Sequence, residues 1–147
     1  MSRSSPDPIN KLLTQNRLQR RAAVLVAEWA ARGVSVSPIA HDRYWLLLDR
    51  LRGGRSWPLE WTDDLQPQLL AFISGSDLLT ILGWNVDEEP ALLVSANILS
   101  AKLSSLDHIY PDGFVLISDV AGKALLVDFD AEEGTHVNTV DLPTTAG

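Results

Sequence analysis

The densest run of chemically active side chains is acidic: Asp128, Asp130, Glu132 and Glu133 stand within a stretch of six residues. Carboxylates at the first, third and fifth positions match the start of a calcium-binding loop. Such a loop also needs glycine at position six and glutamate at position twelve, where this sequence has Glu133 and Thr139. We therefore interpret the run as the acidic tip of a hairpin, and we predict that its four carboxylates contact a positively charged protein partner. No metal site is predicted.

Residue patterns typical of catalysis are missing from the sequence. The histidines His41, His108 and His136 lack the spacing of a zinc-binding helix, and cysteine is absent. Ser74-Gly75-Ser76 is not a nucleophile elbow, and no glycine-rich phosphate loop is present. No catalytic residue and no cofactor are predicted. The rival interpretation is an enzyme of unrecognised architecture that would use His108, Asp112 or His136 near the ends of strands.

Two tryptophans are the second candidate for partner binding. Trp57 and Trp61 lie in residues 55–64, a stretch without periodic order that we interpret as a loop packed by its own aromatic rings. Tryptophans outside regular elements can serve as anchors for a partner, although most tryptophans are largely buried. We therefore add Trp57 and Trp61 to the predicted partner-binding residues.

The charges are divided unevenly along the chain. Residues 1–55 hold ten of the twelve Lys and Arg residues and four of the nineteen Asp and Glu residues, a balance of +6. The remaining residues have a balance of −13. The two parts either attract each other within one fold, or the acidic part meets a basic partner. The basic group Arg17, Arg20 and Arg21 is interpreted as a solvated helix face, because the acidic remainder opposes nucleic-acid binding.

Length and composition are those of one globular domain covering residues 1–147. A chain of this length buries about 70% of the surface exposed by its unfolded state, without help from disulfides or metals. Residues 1–7 and 143–147 are expected to be flexible tails. No apolar segment is long enough for a membrane span or a signal peptide. We therefore expect a cytoplasmic protein with no membrane partner.

Helices are predicted mainly in the first two-thirds of the chain. Apolar residues recur every three or four positions from Ile9 to Trp29, and Gly33 can end that helix in the left-handed conformation. Residues 44–51 form a second apolar segment after the start signal Ser37-Pro38, and we interpret it as helix, with a strand as the alternative. Further helices are predicted at 67–73 and 77–82, and residues 91–106 are expected to be mainly helical.

Strands are predicted only near the C-terminus, at 114–118, 123–129 and 135–142, separated by short turns. The first is apolar on both faces and should be central, whereas the polar residues of the third, from His136 to Asp141, suggest an exposed edge. The predicted fold class is α+β, with a helical N-terminal two-thirds packed on a C-terminal three-stranded antiparallel meander.

These observations favour a protein-binding module over an enzyme. We expect an immunity or antitoxin-type inhibitor that neutralises a basic toxin or effector enzyme through its acidic surface. The alternatives are a secretion chaperone or adaptor, and the enzyme mentioned above. The oligomeric state is left open.

Overall fold

The computed structural model describes residues 8–53, 55–56, 60–62, 65–83, 90–118, 121–130 and 134–142. Within these ranges the chain forms five helices and eight strands. The helices are α1 (Pro8–Ala31), α2 (His41–Arg52), α3 (Gln66–Ile73), α4 (Ala96–Ser100) and α5 (Ser105–Ile109). The strands are β1 (Val36–Pro38), β2 (Arg55–Ser56), β3 (Glu60–Thr62), β4 (Leu78–Gly83), β5 (Leu92–Ser95), β6 (Gly113–Ser118), β7 (Lys123–Asp130) and β8 (Gly134–Asp141).

All eight described strands belong to one antiparallel sheet in the order β1-β5-β4-β6-β7-β8-β2, and β3 also pairs with β8. The predicted fold class is therefore wrong. The C-terminal strands are only part of a sheet that draws five other strands from the first 95 residues, and α1 is the one long helix among the described residues. The error arose because short apolar strands buried on both faces lack the alternation that identifies a strand.

Helices pack on both faces of the sheet. One core lies between the sheet and α3, α4, α5 and the C-terminal half of α1, with Trp29, Leu99 and Phe114 fully buried. A second core, on the other face, joins Leu48 of α2 and Leu18 of α1 to side chains of β6, β7 and β8. Strand β6 is buried at every residue, which confirms its predicted central place.

Two segments that we expected to be helical contain strands. Residues 77–82 lie largely in β4, and residues 91–106 begin with β5 before the two short helices α4 and α5. Residues 44–51 are helical, as interpreted, but α2 begins at His41, and Pro38 of the predicted start signal lies in β1. The predicted loop at 55–64 contains β2 and β3.

The last strand is not an exposed edge, contrary to the prediction. Strand β8 pairs with β7 along its whole length, and its other side pairs with β2 and β3. Its polar side chains are tolerated because most of them are half-buried on the faces of the sheet. The polar side chains therefore indicate that the faces of β8 are partly exposed, and they do not indicate whether its backbone is paired on one side or on both.

Helix α1 confirms the predicted stop at Gly33 but not the single apolar stripe. Gly33 has a φ angle of 82°. The step of five residues from Leu13 to Leu18 turns the side chain by about 140° around the helix axis, so the two leucines lie on different sides. The buried positions are Leu18, Ala22, Leu25 and Trp29, whereas Ile9, Leu12 and Leu13 are exposed.

No helix in the described part of the chain is both long and apolar enough to cross a membrane. The tails predicted to be flexible, 1–7 and 143–147, lie outside the described residues.

Candidate partner-binding surface

The pairing of β3 with β8 brings the aromatic and acidic candidates to one end of the sheet. Asp128 lies directly opposite His136 in the β7–β8 register, and His136 lies opposite Trp61 in the β3–β8 register. Neighbouring strands are about 4.8 Å apart, so the backbones of Asp128 and Trp61 lie about 10 Å apart. We call Asp128, His136 and Trp61 the hairpin row.

The structure describes only some of the predicted partner-binding residues. The side chain of Asp128 is half-buried, as is that of His136. Trp61 and Asp130 have described backbones, whereas Trp57, Glu132 and Glu133 lie outside the described residues. The partner-binding role of these side chains stays a prediction.

A groove opens on the opposite face of the sheet, at the same end. Its volume is about 440 Å³, within the usual range for ligand sites. Apolar walls come from Leu65, Leu103 and Phe129, and polar groups come from Ser104 and Asp107 among others. We call it the Phe129 groove. Adjacent residues of a strand point to opposite faces of the sheet. Asp128 therefore lies on the face of the hairpin row, and Phe129 lies on the face of the groove.

The position of Phe129 is fixed by its neighbours. Its ring lies 5.8 Å from that of Phe114, and an aromatic series continues through Tyr110 to Trp29 with centroid distances of 6.3 and 6.4 Å. Tilted aromatic pairs at such distances are favourable. The backbone N–H of Phe129 also donates a hydrogen bond to the carbonyl of Asp112, at 3.4 Å. The wall of the groove is therefore continuous with the first core.

Among the described residues, the lining of the Phe129 groove includes one carboxylate and no Lys or Arg residue. Lys102 is next to two lining residues, but its Nζ lies 3.9 Å from the point that a Cβ at Gly33 would occupy. Its charge is therefore directed to the C-terminal end of α1, where cations are favourable. Asp112 adds an exposed carboxylate in the turn before β6.

The residues of the rival enzyme interpretation lie near the same end of the sheet. His108 is exposed on α5, Asp112 is exposed, and His136 is half-buried on β8. The described residues contain no group of three His, Asp or Glu side chains that could hold a metal ion. A second cavity, of about 400 Å³, lies between α1 and the β1–α2 connection and is lined by Leu18, Ala22 and Ile39 among others.

The sequence pointed to the acidic run but not to the groove. The position of Phe129 inside the acidic run was the one feature of the sequence that could have indicated the groove. Leu103, Ser104 and Asp107 belong to no recognisable motif. They come together only because α4 and α5 pack beside the end of β7.

In comparisons with protein-family models, curated proteins and solved structures, this chain has no significant match. The function is therefore argued from sequence and geometry.

Proposed function

We propose that this chain is a protein-binding module of the inhibitor type, similar in action to an immunity protein or antitoxin, which neutralises a basic enzyme through the acidic end of its sheet. The observation that carries the proposal is the hairpin row. Trp61 and Asp128 are 67 positions apart in sequence, and two strand pairings place them on either side of His136. Tryptophan is enriched among the residues that dominate binding at protein interfaces, and carboxylates complement a basic partner.

The charge distribution supports a basic partner. Residues 56–147 have a balance of −13, and Asp112 and Asp128 lie in the described part of this end. Like charges gathered on one surface oppose folding slightly, and a partner of opposite charge removes that repulsion. Exposed carboxylates also steer a basic protein during diffusion, so they act mainly on the rate of association.

Charge reversal at two ends of the sheet tests this function. The chain is used as bait to capture its partner from a lysate of its source, and the purified partner is then measured by surface plasmon resonance against the wild type, Asp112→Lys and Asp130→Lys. The matched control is Asp77→Lys, an exposed carboxylate. Ser76, the residue before the control position, forms a hydroxyl–hydroxyl hydrogen bond with Ser118 at the end of β6. The control therefore lies at the end of β6 opposite to Asp112.

We expect Asp112→Lys and Asp130→Lys each to slow association with the partner about tenfold, and the control Asp77→Lys to change the association rate little. Added salt should slow association of the wild type more than it speeds dissociation, because charges are screened beyond about 8 Å at physiological ionic strength. An acidic partner, or a partner whose association is indifferent to salt and to both reversals, would contradict the proposal.

A further inference from the structure

One wall of the Phe129 groove carries polar groups that the fold does not use. Asp107 is exposed and lines the groove, and it makes no hydrogen bond or ion pair with another described residue. Ser104 precedes α5 and lines the same wall, and its hydroxyl makes no capping hydrogen bond. The carboxylate and the hydroxyl are therefore available to a ligand.

A ligand with a single positive charge suits this wall. The described lining holds one carboxylate and no Lys or Arg, and the charge of the neighbouring Lys102 is directed to the end of α1. The carbonyl of Asp112 accepts a hydrogen bond from the N–H of Phe129, so a second exposed carboxylate belongs to a residue next to the groove. One carboxylate in the lining matches one cation and not a strongly basic surface.

The apolar walls define the rest of the ligand. Leu65 and Leu103 are half-buried, so part of each side chain faces the groove. Phe129 is half-buried as well, and its ring packs on that of Phe114. An aliphatic stem with a charge at its tip can lie along such walls while the charge meets a carboxylate. A planar guanidinium can also stack on an aromatic ring and form two parallel hydrogen bonds with a carboxylate, which an ammonium group cannot do.

We propose that the Phe129 groove binds one arginine side chain of the basic partner. The stem lies along Leu65 and Leu103, and the guanidinium contacts Asp107 and the ring of Phe129. The inference rests on the proposed function for the source of the arginine, a residue type enriched among those that dominate binding at protein interfaces. Asp128 and Phe129 are consecutive in β7, so a partner that covers this end of the sheet can contact both the hairpin row and the groove.

A titration of the free chain with a model of the arginine side chain tests the groove without the partner. N-acetyl-arginine amide carries the guanidinium, and N-acetyl-citrulline amide has nearly the same shape without the charge. Amide chemical shifts of the ¹⁵N-labelled chain are followed up to about 20 mM of each compound, because a single contact of this kind binds in the millimolar range. We expect the arginine compound to shift the amides of Leu103, Ser104 and Phe129, and the citrulline compound to bind at least about fivefold more weakly.

Two variants and one control assign the binding to the groove. Asp107→Asn keeps the shape of the side chain and removes its charge, and it should weaken binding of the arginine compound about fivefold. Phe129→Leu keeps an apolar wall and removes the planar ring, and it should weaken binding about threefold. The control Asp77→Asn removes an exposed carboxylate at the opposite end of β6, so binding should be unchanged.

An arginine compound that does not bind, that binds no better than the citrulline compound, or that binds Asp107→Asn as well as the wild type would overturn the groove site. Each of these results would leave the proposed role of the hairpin row intact. Conversely, a chain that binds the arginine compound but captures no basic partner would contradict the proposed function and not the groove site.

The kinetics of the captured partner separate the groove from the hairpin end. Asp107→Asn should speed dissociation and change association little, because the guanidinium and the carboxylate are desolvated together in the complex. Asp112→Lys and Asp130→Lys should instead slow association. A dissociation rate that Asp107→Asn leaves unchanged would show that the partner places no arginine in the groove.

Discussion

Replacement of Gly33 by alanine should destabilise the protein through the backbone alone. The N–H of Gly33 donates to the carbonyl of Ala30 at 3.0 Å, and the N–H of Val34 donates to that of Trp29 at 2.9 Å. These two bonds are those of a Schellman motif, which requires a left-handed residue after the helix. Gly33 meets this need with φ of 82°, and Val34 and Trp29 are both buried in the first core.

The change in the free energy of unfolding caused by Gly33→Ala follows from two opposing contributions. An L-residue in the left-handed conformation costs about 1–2 kcal/mol, whereas alanine restricts the unfolded chain and returns about 0.4–1 kcal/mol. No steric term is added, because the nearest atom to a Cβ at Gly33 would be the Cε of Lys102 at 3.8 Å. The free energy of unfolding should therefore fall by about 1 kcal/mol, and Tm by roughly 3 °C.

Urea unfolding followed by circular dichroism measures this difference, with Gly75→Ala as the control. Gly75 does not have a positive φ, and a Cβ there would meet only the carbonyl of Phe72 at 3.9 Å. Gly75→Ala should therefore be neutral or raise the free energy of unfolding by about 0.4–1 kcal/mol. If Gly33→Ala proved neutral or stabilising, the left-handed stop would not be the feature that ends α1.

Two further predictions concern the core and the sheet. Trp29→Ala should lower the free energy of unfolding by about 3–5 kcal/mol because the ring is fully buried. Trp29→Phe should cost distinctly less, since it removes an indole N–H that has no hydrogen-bond partner among the described residues, and equal losses would contradict this reasoning. In hydrogen exchange, the amides of Thr135, His136 and Val137 should all be slow, because β8 pairs with both β7 and β3 there; a fast-exchanging amide in the middle of this segment would contradict the pairing.

The position of β3 illustrates why sequence reasoning reached the candidate residues but not their arrangement. The acidic run and the tryptophans were visible as residue types, yet nothing in residues 55–64 shows that β3 pairs with β8. A pairing between segments so far apart in sequence depends on the arrangement of the whole sheet and not on the residues next to β3. The same holds for the Phe129 groove, whose residues come from α3, the α4–α5 region and β7.

Features encoded by neighbouring residues were determined by the sequence itself. The extent of α1, its stop at Gly33 and the burial of β6 follow from periodicity, from the conformational freedom of glycine and from a continuous apolar run. Tertiary structure alone decided that residues 78–83 and 92–95 are strands, that β8 is paired on both sides, and that Leu12 and Leu13 face away from the core. The physical reason is that a helix satisfies its hydrogen bonds within its own segment, whereas a strand satisfies them only with partners that the whole fold must bring beside it.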